Sequence, residues 1–257
     1  ATDEEDGDTY NSNIAVQRTL EGVRGLIKKS SGFDIDRVVL QLSGDLFTAE
    51  GNTRKTARGT GPFPLSEEWY STYKIAYKLH CEVLEMLLQV APVTTVYVPG
   101  NHDTTTGWYL SQAVEVKYEN HPDASFINGP AHRKYVGYKD SVALMLAHGD
   151  GGKEADLPLT FMNEARSLVQ AGAKFYYCLL GHIHHRQSRD YQNVNVHYMR
   201  CVKSSDSWHS KSQYKHAPCA VEAHLYHPDE GRVAIFNHVF WRDPDMVQKQ
   251  IGPSILD

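Results

Sequence analysis

Four segments of the chain end alike: an apolar run, then a glycine or turn, then a side chain that can bind a metal. They are Ser43-Gly44-Asp45, Gly100-Asn101-His102-Asp103, His148-Gly149-Asp150 and Gly181-His182-Ile183-His184-His185. Carboxylate and imidazole ligands suit Mn, Fe or Zn better than Ca. These residue types therefore indicate a site for divalent cations.

Each of these segments follows a predicted buried strand. Apolar, partly β-branched runs predict strands over residues 37–42, 94–100, 141–147 and 175–181. Helical periodicity predicts helices over 14–29, 67–90, 106–118 and 160–172. Ligands of α/β sheets gather outside the carboxyl ends of the strands. Side chains that are far apart in sequence can therefore meet in one pocket.

The last third of the chain is predicted to be mostly β, with strands over 194–200, 220–226 and 232–240. The chain has 257 residues, 41% of them hydrophobic, which is enough for one large core. We expect a single α/β domain over residues 1–257, with two sheets face to face and helices on the outside.

Two cations about 3.5–4 Å apart need a carboxylate that bridges them, and imidazoles or amide oxygens that complete each shell. Asp45 can be the bridge. The turn at Gly181 must bend so that His182 and His184 each reach a different ion. A neighbouring acid, Asp103, can fix the tautomer of His102, which could then protonate a leaving oxygen.

Simpler interpretations exist for each pattern taken alone. Gly-Asp and Gly-Asn pairs are common in turns, and the cations Arg54, Lys55 and Arg58 could merely keep a loop solvated. It is the order of the four segments, each at a strand end, that favours a shared site.

The ordered set GD, GNHD, HGD and GHIHH resembles the calcineurin-like metallophosphoesterase superfamily over roughly residues 10–240. This resemblance implies a four-layer α/β/β/α sandwich of two mixed sheets flanked by helices. It also implies a metal-dependent phosphoester hydrolase with two divalent ions, Mn being favoured over Fe or Zn.

The resemblance further implies a role for each matching residue. Asp45 would bridge the ions, and His184 would bind the first of them. His102 would be the acid or transition-state stabiliser, helped by Asp103. The ligands that complete the second metal would be Asn101, His148 and His182.

A GDLF segment followed by a Thr/Arg-rich loop at 53–60, and the later Asp206–His209 segment, are similar to phage and prophage members. With the basic loop, this favours a phosphodiesterase or nuclease acting on DNA or RNA, although a net charge of −5 argues mildly against nucleic acid. Substrate contacts are predicted for Arg54, Arg58, Trp208 and His209. The alternatives are a phosphomonoesterase acting on nucleotides or phosphoproteins, and a catalytically silent scaffold that retains the fold.

One motif of the superfamily is missing. Its first strand ends in D-x-H, which supplies two ligands to the first metal, and no D-x-H precedes Asp45. We expect that the natural protein has an upstream strand that this chain lacks. A degenerate site, or replacement by acids such as Asp3, Asp6 or Asp8, are the other interpretations.

Four widely spaced cysteines without a C-x-x-C pair indicate a reducing, cytoplasmic compartment, which for a phage-encoded protein would be that of the host. The sequence shows no run of 18 apolar residues and begins with an acidic segment, so neither a membrane span nor a signal peptide is predicted. The oligomeric state cannot be predicted from these features.

Overall fold

A computed structural model describes residues 11–42, 44–62, 67–203 and 218–240. The helices are α1 (Ser12–Ser30), α2 (Trp69–Leu88), α3 (Thr104–Tyr118), α4 (Leu157–Glu164) and α5 (Arg166–Gln170). The strands are β1 (Val38–Leu42), β2 (Val93–Tyr97), β3 (Ala124–Ile127), β4 (Arg133–Tyr138), β5 (Val142–Ala147), β6 (Phe175–Leu180), β7 (Gln187–Tyr191), β8 (Val194–Tyr198), β9 (Cys219–His227) and β10 (Gly231–Phe240).

The strands form two main sheets and a hairpin. The first sheet has the order β1-β2-β3 and is parallel, because α2 and α3 make the crossovers between its strands. The second is mixed and has the order β4-β5-β6-β8-β7, with antiparallel β4 and β7 at its edges. Strands β9 and β10 pair as an antiparallel hairpin.

Three apolar clusters define the layers. Val96 of the first sheet and Leu144 and Leu146 of the second belong to one cluster, so the two sheets pack face to face. Leu84 of α2 and Val93 of β2 share a cluster on the outer side of the first sheet. On the outer side of the second sheet, α4 and α5 pack in the same way. The predicted α/β/β/α sandwich is therefore confirmed.

Strands covered on both faces are the ones that the sequence predicts best. Every residue of β2 and β5 is buried, which produces the continuous apolar runs typical of central strands. Three strands were not predicted, β3, β4 and β7. Strand β7 is the polar segment QSRDY at an exposed sheet edge, and it has no apolar alternation to mark it.

The predicted helix over 160–172 is instead two short helices. The backbone at Ala165 leaves the helical conformation, with φ −97° and ψ 35°, and this ends α4 and starts α5. The break allows Phe161 and Leu168 to pack into the same cluster on the second sheet. None of the helices in the described part of the chain is both long and apolar enough to cross a membrane.

The cluster on the outer side of the second sheet can be tested within α4. Phe161 has no exposed surface, whereas Leu159 in the same helix is 68% exposed. We expect Phe161→Ala to lower the free energy of unfolding by about 3–5 kcal/mol, since it leaves a cavity. Leu159→Ala should change it by less than about 0.5 kcal/mol. Urea denaturation measures both; equal effects would contradict the packing described here.

Candidate metal centre

The loops after β1 and β2 touch backbone to backbone. A Cβ added to Gly44 would lie 2.0 Å from the backbone nitrogen of Gly100, and one added to Gly100 would lie 2.2 Å from that of Asp45. No side chain fits at either position. Because β1 and β2 are parallel neighbours, this contact places Asp45 beside Asn101 at the carboxyl edge of the first sheet.

Hydrogen bonds between these two loops orient the carboxylate of Asp45. The amide of Asp45 donates to Oδ1 of Asp103 at 2.8 Å, and the amide of His102 donates to Oδ1 of Asp45 at 2.8 Å. Asp45 has a left-handed backbone, with φ 63°. The exchange of hydrogen bonds holds this unfavourable conformation in place and leaves Oδ2 of Asp45 directed at His148.

Three potential ligand atoms surround Nε2 of His148, which is itself a fourth. This nitrogen lies 2.9 Å from Oδ2 of Asp45, 3.0 Å from Oδ1 of Asn101 and 3.2 Å from Nδ1 of His182. A single ring N–H cannot donate to all three neighbours. Around an ion with bonds of about 2.1 Å, ligands at right angles lie about 3.0 Å apart. The spacing of these atoms therefore suits one divalent cation.

The electrostatics of the cluster also suit a cation. Burial raises the pKa of Asp45, but the hydrogen bond and charge of His148 outweigh it, so the pKa lies below its usual value. Burial, and then His148, lower the pKa of His182. An ionised carboxylate and a neutral imidazole are the forms that bind metals. His148 itself is buried, and its Nδ1 has no hydrogen-bond partner among the described residues.

The loop after β6 bends at His182 and at His184. His182 and His184 both have left-handed backbones, with φ 66° and 58°, and the amide of Gly181 donates to the carbonyl of His148 at 2.9 Å. Asp45, His148 and His182 have ligand atoms within 4.8 Å of one another, and His184 is not part of this group. The structure thus brings together all the predicted ligands of the second metal, whereas His184, predicted for the first, stands outside the cluster.

Asp103 has a different place from the one predicted. It is fully buried, and its carboxylate accepts the amides of Asp45 at 2.8 Å and Phe47 at 2.9 Å. Burial raises its pKa to about 6, against the lowering effect of these amides. Nδ1 of His102 instead lies 3.0 Å from the carbonyl oxygen of Thr48. The sequence predicts that Asp103 orients the His102 ring; in the structure Thr48 does so, and Asp103 supports the loop that carries Asp45.

The predicted substrate residues fall into two groups. Arg58 forms an ion pair with Asp150 at 2.6 Å, and the adjacent Ala57 donates its amide to the carbonyl of His102 at 3.1 Å. The basic loop therefore lies next to the cluster. Arg54 is in the same loop and is exposed. Trp208 and His209 lie outside the described residues.

Two residues that support the site have no signal in the sequence. Glu50 accepts the amides of Thr105 at 2.6 Å and Thr106 at 2.8 Å, and so caps the start of α3 directly after the GNHD segment. Thr48 acts through its carbonyl oxygen, which every residue type has. A lone loop glutamate and a backbone atom belong to no motif, so only the fold reveals them.

Comparisons with known proteins found no matching family model and no matching curated protein. Among solved structures, an archaeal phosphodiesterase is 12% identical over 88% of this chain and 95% of its own, with a TM-score of 0.41. A point mutant of Vps29 from Entamoeba histolytica is 9% identical over 80% and 99%, with a TM-score of 0.36. A predicted phosphoesterase from Streptococcus pneumoniae TIGR4 is 9% identical over 79% and 97%, with a TM-score of 0.29. Likenesses this distant say nothing about the roles of individual side chains in this chain.

The contact between the two glycine loops generates a direct test. Gly100→Ala would force apart the loops that hold Asp45 and Asn101, so we expect about 1–3 kcal/mol lower unfolding free energy, together with weaker binding of any divalent cation at the cluster. Gly129→Ala is the matched control, because a Cβ there meets nothing within 4 Å. Denaturation and calorimetric titration measure the two effects. Unchanged affinity for divalent cations in Gly100→Ala would show that the contact does not shape the site.

Proposed function

We propose that this protein is a metal-dependent phosphoester hydrolase, and that its preferred substrates are phosphodiesters, with nucleic acid as the favoured class. The observation that carries the proposal is the convergence of a carboxylate, an amide oxygen and two imidazole nitrogens at the carboxyl ends of strands from both sheets. This is a donor set for Mn, Fe or Zn, and we favour Mn.

Asp45, Asn101, His148 and His182 would hold one divalent cation, and Asp45 together with His184 would contribute to a second. Bound cations supply Lewis-acid polarisation of a phosphoryl group and make water more acidic. The protein's part is to fix these ligands. For the carboxylate of Asp45, the hydrogen bond that the amide of His102 donates to Oδ1 does so, at 2.8 Å.

His102 is the proposed general acid. A carbonyl oxygen can only accept, so the contact with Thr48 places the proton of the neutral ring on Nδ1. When the ring is protonated, Nε2 carries the second proton, and this is the one it would give to the leaving-group oxygen. The same contact sets the orientation of the ring, the role that the sequence predicts for Asp103.

Arg58 is the proposed substrate cation. Its side chain is 60% exposed although it is paired with Asp150, so the guanidinium is accessible to a phosphate. Arginine binds phosphate oxygens through a planar fork of donors. The neighbouring Arg54 adds positive charge along the loop, which suits a substrate with several phosphates better than a single monoester.

A catalytically silent scaffold is the second candidate. The observation that favours it is that, among the described residues, Asp45 belongs to only one group of at least three His, Cys, Asp or Glu ligands. One complete ligand set can bind a cation without supporting the two-metal reaction. Metal binding without turnover would therefore favour the scaffold.

Two substitutions separate metal binding from catalysis. Asp45→Asn removes the charged ligand of the cluster and should abolish Mn²⁺ binding, measured by metal analysis of the purified protein. His102→Ala should keep the metal and lower the turnover number about 10²–10⁴-fold, the usual contribution of general acid–base catalysis. Metal retained in the first variant, or an unchanged rate in the second, would refute these roles.

Substrate preference can be measured with a bis-aryl phosphodiester and an aryl monophosphate, each in the presence of Mn²⁺. We expect the diester to be hydrolysed faster. Arg58→Ala should raise KM for the diester about 10–150-fold, since a charge-assisted hydrogen bond contributes about 1.5–3 kcal/mol. Arg24→Ala, which removes a cation from a surface pair with Glu82, controls for net charge. A protein that turns over the monoester and ignores the diester is a phosphomonoesterase.

A further inference from the structure

A buried carboxylate lies in the hairpin, away from the predicted motifs. The side chain of Glu222 in β9 is only 1% exposed, and in the hairpin register it faces Asn237 of β10. Burying a carboxylate is costly unless cations or donors surround it. The partners of Glu222 therefore show what this charge is used for.

Its cationic partners come from segments that adjoin the metal centre. Arg186 lies 3.2 Å from Oε2 of Glu222 and donates to Oδ1 of Asn237 at 2.8 Å. Arg200, two residues beyond the end of β8, lies 3.8 Å from Oε1 of Glu222 and 3.4 Å from Oδ1 of Asn237. Glu222 and Asn237 thus form an acceptor pair, named here the hairpin anchor, that holds both arginines.

Arg186 is the last residue of the loop that carries His182 and His184. The first residue of this loop is held by the hydrogen bond from Gly181 to His148, and its last by the hairpin anchor. Between these points both histidines have left-handed backbones. Each such residue costs about 1–3 kcal/mol and persists only where its surroundings fix it. The anchor supplies that fixation at the far end of the loop.

We propose that Glu222 and Asn237 are positioning residues for the metal centre and act through Arg186 to hold the loop that presents His182. The proposal rests on the proposed function in one respect only, namely that Asp45, His148 and His182 bind a cation. Changes at the hairpin should then alter metal affinity at a site none of whose proposed ligands lies in β9 or β10.

The same region has the donor set of a second metal site. His197, Glu222 and His224 have ligand atoms within 4.8 Å of one another. However, Arg186 already lies against the carboxylate oxygen that His197 contacts at 3.1 Å. A divalent cation there would be added to two guanidinium groups that already lie near one carboxylate. The result would be an excess of buried positive charge. A hydrogen bond from the ring of His197 to Glu222 satisfies the same contact without an added cation.

The test uses the full chain with Glu222→Gln. A second variant, Arg186→Lys, keeps the positive charge but loses the planar set of guanidinium donors. Mn²⁺ affinity is measured by calorimetry at a temperature where each variant is folded. We expect Kd to rise about tenfold or more in both, the usual effect of removing an outer-shell partner. Hydrogen exchange of the amides of residues 181–186 should also become faster. Glu82→Gln, which breaks the exposed pair with Arg24, should change neither.

The outcomes separate the possible roles. A lower melting temperature with unchanged Kd and unchanged exchange of the loop would mean that the cluster is merely structural, and would overturn the proposal. Mn²⁺ retained in Asp45→Asn but lost in His224→Ala would place the metal in the hairpin cluster, and would also overturn it. If the unsubstituted protein bound no Mn²⁺, the proposed function would fail. Binding that is insensitive to Glu222→Gln would refute the anchor alone.

Discussion

The site depends on the contact between two loops that have no side chain where they meet. Gly44 and Gly100 let the backbones after β1 and β2 approach so closely that a methyl group at either position would overlap the other loop. The two loops then exchange hydrogen bonds, from the amide of Asp45 to Asp103 and from the amide of His102 to Asp45. Asp45 thereby receives a fixed orientation.

The other half of the site belongs to the second sheet. His148 follows β5 and His182 follows β6, so the distance between the sheets determines whether these rings reach Asp45. That distance is set by apolar packing between Val96 on one sheet and Leu144 and Leu146 on the other. Protein interiors are close-packed and resist small displacements. The inter-sheet core is thus as necessary to the geometry of the ligands as the loops are.

Sequence alone predicted the parts of this structure that have local causes. Buried central strands such as β2 and β5 produce apolar runs, and a metal-capable residue after each run marks the edge where they end. Strand β7 could not be predicted, because its residues are polar and show no apolar alternation. It is a strand because it pairs with β8, and that contact is not encoded locally in the sequence.

The misassigned partner of His102 has a tertiary cause. Asp103 is adjacent to His102 in sequence, but its carboxylate accepts hydrogen bonds from the loop after β1 instead. The position of that loop depends on the fold, and no periodicity of the sequence encodes it. The contact of Thr48 with the ring involves a backbone carbonyl, which carries no residue-specific signal at all. The role of Glu222 has the same kind of cause. In the sequence it is a single charge in a β-rich segment, and only the fold brings Arg186 next to it.

Unfavourable features accumulate at the cluster, and together they favour a ligand. Asp45, His182 and His184 all have left-handed backbones, at a cost of about 1–3 kcal/mol each. Three atoms with lone pairs surround a single imidazole nitrogen, and one proton cannot satisfy them all. A cation would satisfy every one of them at once. Because a ligand that binds only the folded state stabilises it, a cation bound as proposed would offset the strain held by the loops, and this would couple the stability of the fold to the proposed chemistry.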